Sequence, residues 1–302
     1  MYDIIIIGGG AAGMTAALNS LRANKSVLLL EKETIGGQIA TSPRVENFPS
    51  IKAIAGNEFA DNLFDQIMNL GCEFELDNVN KIEKVDQKFI VSCEYSKYES
   101  KSVIIATGLK HKKINIPHEE DLVGKGISYC AVCDGAFYKD EEVCLVGDGN
   151  TALQYAILLS NYCSKVYLCT LFDKFFGENT LVEKIKQRDN IQVIHNVSLK
   201  EFIFKDELEG LKFEGTYSKE PMELTVKGCF IAIGQIPNND MFKNVVELDN
   251  YGYILASEDL ETKTPGLFVA GDCRKKKIRQ LTTAVSDGSI ASIGAVSYVD
   301  KL

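Results

Sequence analysis

Apolar residues fall in short unbroken runs closed by glycine, and this grouping predicts the elements. Asp3 to Ile7 carries four consecutive isoleucines and feeds into Gly8-Gly9-Gly10-Ala11-Ala12-Gly13, after which Met14 to Arg22 has helical composition. A β-branched run, a glycine turn and an Ala/Leu-rich stretch predict strand, turn and helix. Ser26 to Leu30 predicts a second buried strand ending at Glu31, eighteen positions beyond Gly13. The unit reads as a βαβ dinucleotide fold. Gly8, Gly10 and Gly13 allow a tight turn, close approach of a pyrophosphate to the helix N-terminus and helix packing on the strand, and Glu31 is placed to accept from ribose hydroxyls.

A second copy follows. Glu142 to Val146 reads as a strand, Gly147-Asp148-Gly149-Asn150-Thr151-Ala152 as a G-x-G-x-x-A turn, Leu153 to Asn161 as a helix and Lys165 to Thr170 as a strand. Short apolar strands closed by small residues recur at Val103 to Gly108, Cys229 to Gly234 and Gly266 to Asp272. They suggest crossings between domains. The expected fold class is α/β, with two dinucleotide-binding, Rossmann-like domains, the second inserted into the first. The expected domains are a discontinuous one, residues 1–112 and 239–302, and an inserted one, residues 113–238.

Composition narrows the class. The 302 residues are 45% apolar and 25% charged with 6 prolines, an ordinary globular balance that excludes fibrous and disordered chains. A net charge of -9 argues against nucleic-acid binding through bulk charge. The apolar N-terminal stretch has Asp3 as its first charge and small residues from Gly8 to Gly13, unlike a signal sequence, and no run is long enough to cross a membrane. A cytoplasmic protein is expected. Nine cysteines form an odd, scattered set with a single CxxC, which does not resemble a secreted disulfide framework. Most are expected to be small buried hydrophobes.

The sharpest chemical feature is Tyr129-Cys130-Ala131-Val132-Cys133-Asp134-Gly135. Two thiols three positions apart, at what could be a helix N-terminus, can close a small disulfide ring, and the helix dipole there stabilises a thiolate. The alternative, half of a zinc site, needs two further ligands at matching spacing, and the histidines are His111, His118 and His195 only. No metal is expected. Asp134 is a candidate proton donor to a leaving thiolate, or else a helix cap or turn acid.

These residues carry a resemblance. Gly8 to Gly13, Gly36-Gly37-Gln38, Val45 to Pro49, Ala106-Thr107-Gly108, the Cys130-to-Gly135 motif, Ala232 to Asn238, and Ala270-Gly271-Asp272 followed by Arg279-Gln280 occur in the order of the low-molecular-weight flavin thioredoxin reductases. The chain resembles that family over essentially its whole length. The resemblance implies the class II flavin disulfide reductase architecture, FAD in the first fold and a homodimer. It further implies that Gly8, Gly10, Ala12, Gly13, Glu31 and Lys32 hold the ADP half, with Gly37, Gln38, Asn47, Thr107 and Gly108 along the remaining cofactor. Gly271-Asp272 would meet a ribityl hydroxyl, and Arg279, Gln280 and Leu281 the pyrimidine edge. Cys133 would lie nearer the flavin, and Cys130 would attack the disulfide of thioredoxin.

One stretch departs from the family. NADPH-dependent members carry a His-Arg-Arg cluster after the second strand of the inserted fold, whereas this chain has Cys169-Thr170-Leu171-Phe172-Asp173-Lys174-Phe175-Phe176-Gly177 and no arginine until Arg188. This pattern resembles the ferredoxin-dependent flavin thioredoxin reductases, so reduced ferredoxin is the expected donor, with NADPH, NADH or a flavin dithiol oxidase as alternatives. Arg274-Lys275-Lys276-Lys277-Ile278-Arg279 is the expected docking patch for an acidic donor.

Overall fold

The isoleucine run forms β1 (Tyr2–Ile7), and its unbroken apolarity has a direct cause. Successive side chains point to opposite faces, and both faces are covered: Ile4 and Ile6 enter one hydrophobic cluster, Ile5 and Ile7 another. The computed structural model describes residues 1–40, 42 and 45–302, apart from the Cys133 side chain. After β1 come α1 (Ala11–Arg22), β2 (Val27–Glu31), α2 (Gly56–Met68), β3 (Glu73–Leu76), β4 (Val79–Val85), β5 (Lys88–Cys93), β6 (Lys97–Ile105) and β7 (Lys110–His111). A second run holds β8 (Ile127–Ser128), α3 (Ala131–Asp134), β9 (Glu142–Val146), α4 (Asn150–Leu159), β10 (Lys165–Cys169), α5 (Asn179–Lys186) and β11 (Ile191–Ile194). It continues through β12 (Val197–Phe204), β13 (Leu208–Gly215), β14 (Pro221–Thr225) and β15 (Gly228–Ile231). The last elements are β16 (Gln235–Ile236), β17 (Leu267–Val269) and α6 (Leu281–Val299).

The chain divides into two compact units, Met1–Lys110 with Ile236–Leu302, and His111–Gln235. In the first, a sheet runs β3-β2-β1-β6-β5-β4. Strand β6 pairs parallel with β1 along one edge; along the other its first half pairs antiparallel with β5, and Val103 to Ile105 pair parallel with β17. Helices α1 and α6 pack on one face through small residues. A Cβ added at Gly288 would meet the Ala12 carbonyl oxygen at 2.2 Å, so α6 can approach α1 this closely only with glycine there. The second unit has an all-parallel sheet, β11-β10-β9-β15-β8, and a β12-β13-β14 meander. Val143 and Leu145 face the α4 side of that sheet, while Cys144 packs among the meander residues.

Both glycine turns lie where the sequence pattern predicts them, between a parallel strand and a helix. The helices begin earlier than composition suggested, α1 at Ala11 rather than Met14 and α4 at Asn150 rather than Leu153. The first turn of α1 is Ala11-Ala12-Gly13 and that of α4 Asn150-Thr151-Ala152, small or polar residues that carry no apolar period. Of the free cysteines, Cys72, Cys144, Cys163, Cys169, Cys229 and Cys273 are buried and Cys93 is half-buried.

Candidate functional site

In the first unit, the expected cofactor residues converge at the C-terminal ends of β1, β2, β6 and β17. The Gly8 amide donates to the Leu30 carbonyl at 2.8 Å, and a Cβ on Gly13 would stand 1.9 Å from the Gly8 oxygen, so strand and helix meet backbone to backbone. Gly10 caps α1 and is open, with only the Gly36 oxygen near its missing Cβ at 3.9 Å. Glu31 ends β2, and its carboxylate accepts from the amides of Gly9 (2.7 Å), Lys32 (2.8 Å) and Glu33 (3.0 Å). The Lys32 ammonium pairs with Glu33. Gly36 donates to Gly9, which brings Gly37 to the turn, and the exposed Gln38 comes next. Thr107 hydrogen-bonds Asn239 at 3.3 Å, and Gly108 has open space where a side chain would be.

The C-terminal segment completes this region. Gly271, at φ +80°, comes close to Ala12, and its amide donates to Asp287 at 3.1 Å. Gln280 caps α6 and accepts from Asn47 at 3.3 Å, with Leu281 as the first helical residue. Arg279 lies over the Tyr253 ring at 4.2 Å. Asp272 Oδ1 is buried and takes no hydrogen bond from the described residues, although the Lys276 ammonium lies 3.0 Å away as an ion pair.

The expected docking patch at Arg274 to Arg279 is corrected by its partners. Arg274 donates to both Asp287 oxygens (2.9 and 2.8 Å), and Lys276 reaches Asp287 at 3.0 Å with its side chain only 7% exposed. With Arg279 on Tyr253, three of the five cations are turned into the unit, and Lys275 and Lys277 remain exposed. Burial by itself would push the Asp287 carboxyl up, but hydrogen bonds from Arg274 and Lys276 hold it below the usual carboxylate range. Asp287 is a functional-region residue that sequence reasoning missed. Its signal was available, since it is the one charged residue between Leu281 and Val299. Cys273 is fully buried, and burial pushes its thiol up to about 11, which makes it a packed small residue.

In the second unit, Cys130 directly precedes the short helix α3 and is disulfide-bonded, while the seven cysteines outside the CxxC are free. Cys133 lies in α3, and its side chain is outside the described residues. The Asp134 carboxylate accepts from the Ser128 hydroxyl at 2.5 Å, and the Cys130 amide donates to that same hydroxyl at 3.0 Å. Ser128 thus ties the cysteine backbone to the acid. No local pattern announced it, because the link depends on where β8 ends relative to α3. Next to Cys130, Tyr129 is anchored through its hydroxyl to Glu119 at 2.6 Å. Among the described residues, no group of three or more His, Cys, Asp or Glu is placed to hold a metal.

The second glycine turn repeats the first. Gly147 donates to the Cys169 carbonyl at 3.0 Å, Gly149 caps α4, and no atom lies within 4 Å of the Cβ position of Gly149. The segment expected to confer donor specificity folds back on this turn, with the Phe176 amide donating to the Asp148 carbonyl at 2.8 Å.

The profile of the pyridine nucleotide-disulphide oxidoreductases matches residues 2–288. This chain belongs to that family. It is 37% identical to the thioredoxin reductase of Bacillus subtilis over the whole of this chain and 96% of that one. The crystal structure of Lactococcus lactis thioredoxin reductase is similar at a TM-score of 0.96 and 33% identity, covering all of both chains. A ferredoxin-flavin thioredoxin reductase from Clostridium acetobutylicum matches at a TM-score of 0.55 and 28% identity, over 99% of this chain and 98% of that one. The likeness to this ferredoxin-dependent member is thus weaker than that to the Bacillus subtilis and Lactococcus lactis thioredoxin reductases.

Family members are FAD flavoproteins, and FAD is the cofactor of this chain. The first unit fits it. An open helix N-terminus with no acidic residue in its first turn suits a pyrophosphate, Glu31 suits a ribose, and the buried Asp272 Oδ1 without a hydrogen bond suits a cofactor hydroxyl. No helix of the described residues is long and apolar enough to cross a membrane.

Proposed function

We propose that this protein is a thioredoxin reductase that takes electrons from a reduced nicotinamide dinucleotide and delivers them through the Cys130–Cys133 pair to the disulfide of a thioredoxin. The observation that carries the reading is that Cys130, alone among the eight cysteines with described side chains, is disulfide-bonded, beside an acid held by Ser128. Gly8, Gly10, Ala12, Gly13, Glu31 and Lys32 would hold the ADP half of FAD. Gly37, Gln38, Asn47, Thr107, Gly108, Gly271, Asp272 and Arg279 to Leu281 would hold the rest. When bound, FAD supplies the relay between a two-electron donor and a disulfide.

The chain's own residues perform the exchange. Cys130, as thiolate, attacks one sulfur of the thioredoxin disulfide, forming a mixed disulfide and releasing the other thioredoxin sulfur as a thiolate, which takes up a proton. Cys133 then attacks Cys130, restoring the internal disulfide and freeing the second thioredoxin thiol. Asp134 is the proton carrier, and Ser128 holds its carboxylate beside the cysteine. Support for the dinucleotide donor comes from the open Gly147–Ala152 turn and from the likeness to thioredoxin reductases, whereas in the basic stretch that favoured ferredoxin two of the five cations pair with Asp287 and a third lies over Tyr253. The homodimeric state implied by the family resemblance and the cytoplasmic location expected from the N-terminal sequence go with this reading.

The test is anaerobic flavin absorbance. Purified yellow protein is mixed with NADH, NADPH or reduced ferredoxin, and oxidised thioredoxin is then added. Bleaching by a dinucleotide with recovery on adding thioredoxin is expected. Cys133→Ser should keep FAD and lose thioredoxin reduction with every donor, and full activity in that variant would sink the mechanism.

A further inference from the structure

The two glycine turns can be compared inside one chain, and they differ where a dinucleotide fold reads the adenosine ribose. The hydrogen bonds Gly8 to Leu30 and Gly147 to Cys169 put the halves in register, so Thr170 occupies the place of Glu31. In dinucleotide folds an acid at this strand end binds a free 2′-hydroxyl, and a nearby arginine accommodates a 2′-phosphate. Thr170 does neither. It is fully buried, and its hydroxyl donates to the Phe172 carbonyl at 2.6 Å and lies 2.7 Å from His195 Nδ1.

The loop beyond Thr170 exposes apolar side chains. Leu171, Phe172 and Phe176 are 47%, 44% and 57% exposed, and the two phenylalanine rings meet edge to face at 5.3 Å. The loop is pinned to the turn, because the Phe176 amide donates to Asp148 and the Glu178 amide to Asn150 Oδ1 at 2.7 Å. These side chains therefore rim the open glycine turn. The charged groups of the turn and loop are Asp148, Asp173, Glu178 and Lys174, whose ammonium lies 5.3 Å from the Phe176 ring centroid. Arg188 is bonded to Asn161 at 3.0 Å.

Resting on the reading of the second turn as a nicotinamide dinucleotide site, we infer that Leu171, Phe172 and Phe176 make it selective for a dinucleotide without a 2′-phosphate, NADH over NADPH. A phosphate dianion placed here would give up hydration against three apolar side chains, face three carboxylates and gain one flexible ammonium. An unphosphorylated adenosine loses none of this, and the phenylalanine faces offer its purine a stacking surface.

The test uses the FAD-loaded full chain. Calorimetric titration should show ADP binding at least about tenfold more tightly than 2′,5′-ADP, and anaerobic flavin reduction should be faster at equal concentration with NADH than with NADPH. Equal or tighter binding of 2′,5′-ADP, or NADPH reducing the flavin as fast as NADH, overturns the inference and leaves the dinucleotide reading intact. If neither nucleotide reduces a flavin that dithionite reduces and thioredoxin reoxidises, the dinucleotide reading itself fails, and the inference with it. Leu171→Arg/Phe172→Arg should shift the NADPH-to-NADH ratio of kcat/KM upward by at least roughly tenfold, since each charge-assisted phosphate contact is worth about that much. Phe172→Arg alone serves if the double variant does not retain FAD. An unchanged ratio in a folded, yellow variant overturns the assignment of the rim.

Discussion

Replacing Asp287 by asparagine tests the charge cluster under the Gly271-Asp272 turn. In the native protein Asp287 is 3% exposed and accepts from the Gly271 amide, from Arg274 twice and from Lys276, all within 3.1 Å. The cluster of Arg274, Lys276, Asp272 and Asp287 is neutral as a group. Asparagine keeps the shape but leaves a net positive charge, with Lys276 nearly fully enclosed. Breaking a buried pair from one side costs about 3 to 5 kcal/mol, and Arg274, at 21% side-chain exposure, places this case toward the lower end. At about 2 to 4 °C per kcal/mol for a unit of this size, Tm should fall by roughly 6 to 15 °C. Thermal unfolding followed by both circular dichroism and flavin fluorescence should show FAD released at the lower temperature. The double variant Asp287→Leu/Arg274→Leu removes one charge of each sign and should be less destabilised than Asp287→Asn. The sign with pH is also fixed. Because the folded carboxyl lies below its ordinary value of about 3.9, its stabilisation is complete above that value and is lost as pH falls through the lower folded one. The stability gap between wild type and Asp287→Asn should therefore be level from about pH 5 to 8 and close below about pH 4. A gap under about 1 kcal/mol at pH 7 would refute the reasoning.

Gly13→Ala puts a Cβ 1.9 Å from the Gly8 oxygen and should cost more than about 2 kcal/mol and empty the protein of FAD, seen as loss of yellow colour on purification. Ser128→Ala removes the donor to Asp134 and an acceptor for the Cys130 amide; thioredoxin turnover should fall by roughly tenfold or more, and its pH profile should shift, with FAD content unchanged. Thiol titration of the native oxidised protein at pH 8 should find the buried cysteines silent, and prior reduction should expose two fast-reacting thiols, lost together in Cys130→Ser/Cys133→Ser. A fast thiol traced to Cys273 would contradict its burial and its thiol pushed up to about 11.

Much of the architecture was legible because its causes are local. Four isoleucines in a row make sense only in a strand covered on both faces, and Gly8 to Gly13 is demanded by contacts between residues five apart in sequence. The same holds for Gly147 to Ala152, where a Cβ on Gly147 would strike the Ala152 side chain five residues on. The CxxC and the acid after it are likewise neighbours along the chain. Such features survive in sequence because each residue's partner is near it or belongs to a repeated unit. The α/β class followed from strands and helices alternating in this way.

Tertiary structure alone decided where the charges go and which polar groups meet. A run of five cations reads as a solvated patch until α6 brings Asp287 under it, eleven residues beyond Lys276 and on a different element. Ser128 reaches Asp134 only because β8 pairs with β15, a strand a hundred residues later that sets where β8 stops. Thr170 stands as far beyond Gly147 as Glu31 does beyond Gly8, but only the fold shows its hydroxyl spent on the Phe172 carbonyl and set against His195. Hydrophobic periodicity is dictated by burial of each residue's own face, so it is written locally. Pairing of charges and hydroxyls depends on which strand ends and helix faces the packed chain brings together, and no local pattern encodes that.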